Sequence, residues 1–189
     1  MNMKKVTVYL GAAKGNDEKY AANAYRLGML LAGNGHTIVY GGSDVGCMKA
    51  LADGAQMAGG DIIGVFPQGF KGSMHAVKLG LKVERTDLQN MVYVADFAER
   101  KKKMEELGDC FVIMPGAFGS LDELFTCACN RALRKHLKPI YVLDTNGYYA
   151  PLQQMINNMF NCGFIVEDLR TIIKFIPTVE GIVEEINSL

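Results

Sequence analysis

A chain of 189 residues with 49 % hydrophobic and 21 % charged residues has the length of one α/β domain and an ordinary globular balance. Its 20 basic residues equal its 20 acidic ones, so zero formal charge argues against a dedicated nucleic-acid or anionic-membrane surface. No apolar run approaches the roughly 20 residues of a membrane span.

The first segment, "MNMKKVTVYLGAAKG", has two lysines before a short apolar run. A signal peptide is the competing reading, but Gly11, Lys14 and Asp17 interrupt the run early, so residues 6–10 read as a first strand. Tyr20, Ala24, Leu27 and Leu31 then follow helical spacing, and "GNG" at 33–35 ends that helix. Residues 37–40 form a second strand, followed by "GGSDVG" and a helix over roughly 46–58. A third strand covers 62–66. Residues 67–90 are the least legible, with a strand expected near 81–84. Another strand at 91–94 precedes a basic helix in "DFAERKKKMEELGD".

An apolar run at 110–114 stops at Pro115 and leads into "PGAFGS" and a helix expected over about 120–136. A strand at 139–143, a helix at 150–162 and a strand at 172–176 follow. Thr178 is placed to cap a final helix. Alternating β and α units predict a Rossmann-like α/β fold, doubly wound, with a mainly parallel sheet covered on both faces. No linker or repeat divides it, so residues 1–189 read as a single domain. The five cysteines are odd in number and scattered, as expected of reduced, mostly buried thiols in the cytoplasm.

Ligands in such sheets bind beyond the carboxyl ends of the strands. Three strand ends carry unusual chemistry: "YLGAAKG", "YGGSDVG" and "MPGAFGS". In "PGAFGS", Gly116 and Gly119 let a ligand approach the backbone, and Ser120 either caps the helix or binds a phosphate oxygen. A tight β–α turn explains the same residues without a ligand. In "YGGSDVG", Gly41 and Gly42 allow close approach, or form a turn with Asp44 as a cap. Neither motif is a Walker loop or a dinucleotide fingerprint, which disfavours a NAD-dependent oxidoreductase. Asp122 and Glu123 stabilise a first helical turn whether or not they act on a ligand. In "AERKKKMEE", Lys102 and Lys103 read as solvated, with Glu99 and Lys103 as an i,i+4 pair. Arg100 and Lys101 oppose the helix dipole near its start and so mark a candidate site.

In order and spacing, "YGGSDVGCMKALADGA", "ERKKKM" and "MPGAFGSLDELF" resemble the LONELY GUY family, often labelled "putative lysine decarboxylase". The resemblance continues through "KPIYVLDTNGYYAPL". The family's hallmarks are Pro-Gly-Gly-x-Gly-Thr-x-x-Glu and an upstream Arg-Lys pair. No lysine context here suggests a pyridoxal Schiff base, so the decarboxylase label finds no support in the residues.

The resemblance implies a cytoplasmic homodimer that hydrolyses the N-glycosidic bond of a purine nucleoside 5′-monophosphate. AMP or an N6-modified AMP, such as a cytokinin riboside monophosphate, would yield free base and ribose 5-phosphate. No cofactor, metal, nucleic acid or membrane is implied. Carried over by position, Glu123 and Arg100 are the catalytic residues. Gly41, Gly42, Lys101, Gly116, Ala117, Phe118, Gly119, Ser120 and Asp122 are the substrate-binding ones. Ala117 stands for the motif's second glycine and Ser120 for its threonine. The family's usual Asp-Met-His-Glu-Arg-Lys is here Asp96-Phe97-Ala98-Glu99-Arg100-Lys101. The alternative is a non-catalytic nucleotide-binding or molybdenum-cofactor carrier protein of the same fold.

Overall fold

Val6 and Val8 project to one face of the first strand, Thr7 and Tyr9 to the other, and all four are buried. A strand covered on both faces needs no polar alternation, which is why the strands read as continuous apolar runs. The computed structural model describes residues 2–71 and 83–189. Seven strands pair in parallel: β1 (Lys5–Tyr9), β2 (Thr37–Tyr40), β3 (Ile62–Pro67), β4 (Asn90–Val94), β5 (Cys110–Ile113), β6 (Ile140–Leu143) and β7 (Ile173–Ile176). Their spatial order is β4-β3-β2-β1-β5-β6-β7.

The helices divide between the two faces. Helices α1 (Glu18–Gly33), α2 (Gly46–Met57) and α7 (Val179–Asn187) bury Leu27, Leu51 and Ile182 against Val6, Val8 and Ile38. On the other face, α3 (Phe97–Leu107) and α4 (Phe118–Ala132) bury Met104, Leu124 and Cys127 against Tyr9, Phe111 and Ile113. Helix α5 (Ala150–Asn161) adds Leu152 to that layer, and a short α6 (Glu167–Arg170) follows. Each fully buried Leu or Ile contributes about 1.5–3 kcal/mol relative to exposure.

The order reverses at β1, which pairs with β2 on one side and β5 on the other. The chain leaves β1 into α1 on one face and leaves β5 into α4 on the opposite face. The loops after these strands therefore part, and a crevice opens at the switch point. The doubly wound parallel sheet agrees with the expectation from sequence.

Several local expectations need correction. Helix α4 begins at Phe118, with Ala117 as a cap that offers no side-chain bond, so Ser120 lies inside the first turn. It ends at Ala132 rather than near residue 136, because Arg134 turns left-handed at φ 55°. Asp44 does not cap α2, whose cap is Val45. Instead Arg85 binds Asp44, and Glu84 bridges antiparallel to Ser43. The expected strand near 81–84 lies partly outside the described residues. At the start of α3 the Glu99 N–H donates to the Asp96 carboxylate and the Glu99 carboxylate accepts from the Ala95 N–H, while Lys103 pairs with Glu106.

Candidate active site

The basic run of α3 spirals, each residue turned about 100° from the last. Arg100 shares the inward face with Met104, one turn on, and both are buried. An arginine there needs acceptors. Its Nε donates to the Val65 carbonyl at 2.9 Å and its Nη2 to the Gly41 carbonyl at 3.0 Å. Gly41 admits this approach only because it lacks a side chain: a Cβ there would fall 1.7 Å from Nη2. Gly42 serves the same turn differently, adopting φ 71°.

The remaining guanidinium nitrogen, Nη1, stands 3.9 Å from Oε1 of Glu123 on α4. Burial pushes the Glu123 carboxyl up to about 7, and the Arg100 charge only partly offsets it. Burial likewise lowers the Arg100 guanidinium from its ordinary value, with Glu123 acting against that shift. A carboxyl held near neutrality can take a proton from water and return it.

Both side chains line a cavity of about 640 Å³ at the carboxyl ends of β1, β2 and β5. The first bond inside α4 runs from the Leu121 N–H to the Ala117 carbonyl at 3.2 Å, so the preceding amides are free of helical partners. Gly119 and Ser120 of that turn line the cavity, as do Gly116 and Ala117. A Cβ on Gly116 would meet Ser120 Oγ at 2.1 Å, so the glycine makes room for the serine hydroxyl. The opposite wall is apolar. Phe66, Phe70 and Phe97 form a chain of rings with centroids 5.9 and 4.9 Å apart, and the Arg100 guanidinium lies 5.8 Å from the Phe97 ring. Anion-binding amides on one side and aromatic faces on the other suit a ligand with an anionic end and a flat apolar end.

The structure gathers Glu123, Arg100, Gly41, Gly116, Ala117, Gly119 and Ser120 around this cavity. The other four are not among its described lining. Phe118 is 90 % exposed, and Gly42 is buried, where a Cβ would meet Met91 and Phe66 at 3.2 Å. Lys101 and Asp122 bind each other, Nζ to both carboxylate oxygens at 2.9 and 2.8 Å. That pair ties α3 to α4 one residue along from Arg100 and one before Glu123. Sequence reading missed Lys14, Tyr20, Ser43, Phe70 and Tyr148. Tyr148 donates to the Gly116 carbonyl at 2.5 Å and packs edge-on against Tyr20. It follows β6, a strand end that the rule applied to the other three would have reached.

Fold and crevice together define a Rossmann-like α/β protein with a cavity at the switch point of the sheet. The family model described as "Possible lysine decarboxylase" matches residues 48–186. The chain belongs to this family, the LONELY GUY family. It is 36 % identical to a cytokinin riboside 5′-monophosphate phosphoribohydrolase of Rhodococcoides fascians, over 98 % of this chain and 90 % of that one. With the enzyme of that name from Oryza sativa subsp. japonica it shares 32 % identity, over 95 % of this chain and 71 % of the other. Among solved structures, a molybdenum cofactor binding protein from Rippkaea orientalis superposes with a TM-score of 0.72 at 21 % identity, covering 100 % and 98 % of the two chains. The Moco carrier protein of Chlamydomonas reinhardtii does so at 0.70 and 17 %, covering 99 % and 97 %. At such identities these two share the fold alone.

Proposed function

We propose that this chain hydrolyses the N-glycosidic bond of a purine nucleoside 5′-monophosphate, AMP or an N6-modified AMP, to free base and ribose 5-phosphate. The observation that carries this reading is the Glu123 carboxyl, held near neutrality inside the cavity and one helical turn from open backbone amides. The relatives' names, cytokinin riboside 5′-monophosphate phosphoribohydrolase, support it.

In this mechanism the 5′-phosphate sits at the first turn of α4, against the amides of Gly119 and Ser120 and the Ser120 hydroxyl. The ribose then lies over Glu123 and the base over the aromatic wall. Cleavage passes through an oxocarbenium-like sugar, as in glycoside hydrolysis. Water attacks C1′, the C1′–N bond breaks, and its electron pair leaves with the base. Ionised Glu123 stabilises the sugar cation and takes the proton of the attacking water, which then passes to the nitrogen of the departing base and leaves Glu123 ionised again. Arg100 stays charged and cannot act as the general acid. With two of its nitrogens committed to carbonyls, it turns the third toward Glu123 and the departing base. Lys101 and Asp122 brace the two helices beside this pair.

The reading extends to assembly and setting. The chain acts as one domain over residues 1–189, in the cytoplasm, as a homodimer. On α4, Leu124, Cys127 and Ala128 face the sheet, while Phe125 stays partly exposed and Leu133, just past the helix, is largely so. Apolar surface left outside one core is commonly covered by a two-fold copy. A monomeric mass by light scattering at micromolar concentration would remove the dimer. Chromatography of AMP digests, with a boiled control, tests the reaction. Binding of nucleotide without release of base would instead describe a carrier.

A further inference from the structure

The β1–α1 loop, residues 11–15, is clamped between two helix starts. A Cβ on Gly46, the first residue of α2, would lie 1.9 Å from the Ala12 carbonyl oxygen. On the other side the Gly11 N–H donates to the Pro115 carbonyl at 3.3 Å, and a Cβ on Gly11 would stand 3.2 Å from Gly116 Cα. The loop's position is thus fixed against both α2 and α4.

These two helix starts are electrostatically open. Helices α1, α3 and α7 are capped by the side chains of Asp17, Asp96 and Thr178. Neither α2 nor α4 has a side-chain cap or an acid in its first turn. Both first turns line the cavity, through Cys47 and Met48 and through Gly119 and Ser120. Ser120 is only 3 % exposed, yet its hydroxyl has no hydrogen-bond partner among the described residues. That hydroxyl opens on the cavity, where it can hydrogen-bond a ligand.

The cavity's described lining holds two cations, Lys14 and Arg100. Arg100 is committed to Val65, Gly41 and Glu123. Lys14 lies in the clamped loop and makes no ion pair among the described residues. The loop's other residues are Gly11, Ala12, Ala13 and Gly15, so Lys14 carries its one polar side chain. Its flexible ammonium can meet a phosphate as a point charge.

We infer that Lys14 is a specificity-determining residue: it pairs with the 5′-phosphate held at the α4 start and selects phosphorylated over unphosphorylated ribosides. The inference rests on the proposed reading for the identity of the ligand. The amides and Ser120 bind phosphate oxygens by hydrogen bonds, and Lys14 supplies the mobile charge that neutralises a dianion.

Calorimetric titration with ribose 5-phosphate and with ribose tests this without turnover. Wild-type protein should bind ribose 5-phosphate more tightly than ribose. Lys14→Met should weaken ribose 5-phosphate binding by about tenfold, a charge-assisted contact's worth, and leave ribose binding unchanged. Lys14→Arg should stay within about threefold of wild type, and added salt should weaken wild type more than Lys14→Met. Equal ribose 5-phosphate binding in wild type and Lys14→Met would overturn the inference, as would Lys14→Arg as weak as Lys14→Met. So would a wild type that does not prefer the phosphorylated sugar. A Lys14-dependent ribose 5-phosphate site in a protein that releases no base would keep the inference and remove the hydrolase. Base release with Lys14-independent binding would do the reverse.

Discussion

Arg100 Nη1 and Glu123 Oε1 stand 3.9 Å apart, an ion pair at a separation too long for a hydrogen bond. The other two guanidinium nitrogens are held by backbone carbonyls, so the arginine cannot swing to close the gap. The carboxylate therefore keeps only part of the stabilisation a bonded arginine would give, and burial dominates its titration. The spacing leaves the carboxylate free to bond a water or a sugar hydroxyl.

Turnover should follow the ionisation of Glu123. Its carboxyl lies near 7, and the ionised form is the working one. The rate at saturating nucleotide should rise about tenfold per pH unit below that value and level off above it. A flat profile between pH 5 and 8 would deny Glu123 the role of base.

The same carboxyl should make stability depend on pH. Its folded-state pKa, about 7, exceeds the ordinary carboxylate value, so the fold prefers the protonated form. The stability this group contributes is full in acid and is lost as pH rises through 7, by about 3 kcal/mol at most. Glu123→Gln, which mimics the protonated form, should therefore melt several degrees above wild type at pH 8 and near wild type at pH 5. The same difference at both pH values would contradict this.

The seven strands of the sheet and the doubly wound class were legible because two-sided burial forces continuous apolar runs between glycine-rich strand ends. The start of α4 was not. Ser120 looks like a cap, but the chain turns helical two residues earlier, at Phe118, behind Ala117 with no capping side chain. Its end was hidden too, since Arg134 adopts the left-handed conformation that glycine normally marks. Arg100 and Glu123 were reached through motif resemblance, and only the fold explains their burial. Phe70 and Tyr148 lie in loops with no periodicity, and their placement depends on strands distant in sequence.

Gly41→Ala should be costly out of proportion to one methyl group. The new Cβ would collide with Arg100 Nη2 and push the guanidinium off the Gly41 carbonyl. A shift of about 1 Å at a catalytic pair can lower turnover by about 100-fold. Kinetics alongside circular dichroism would check this. A folded Gly41→Ala variant with wild-type turnover would show that Arg100 need not be held there.

The Lys101–Asp122 pair should act by bracing. Half-exposed pairs contribute under about 1 kcal/mol, so Asp122→Asn should lower kcat by no more than about fivefold and leave KM near wild type. A large rise in KM with kcat unchanged would instead place Asp122 on the substrate.

The central claim is that a carboxylate and a phosphate cradle in one cavity cleave a nucleotide's glycosidic bond. It is tested most directly by incubating wild type and Glu123→Gln with AMP, an N6-modified AMP and the matching nucleosides, and separating the products. Wild type should release base and ribose 5-phosphate in equal amounts from at least one nucleotide, and far less base from its nucleoside. Glu123→Gln should lose at least about 100-fold. No base from any nucleotide, or equal release by wild type and Glu123→Gln, would contradict the claim.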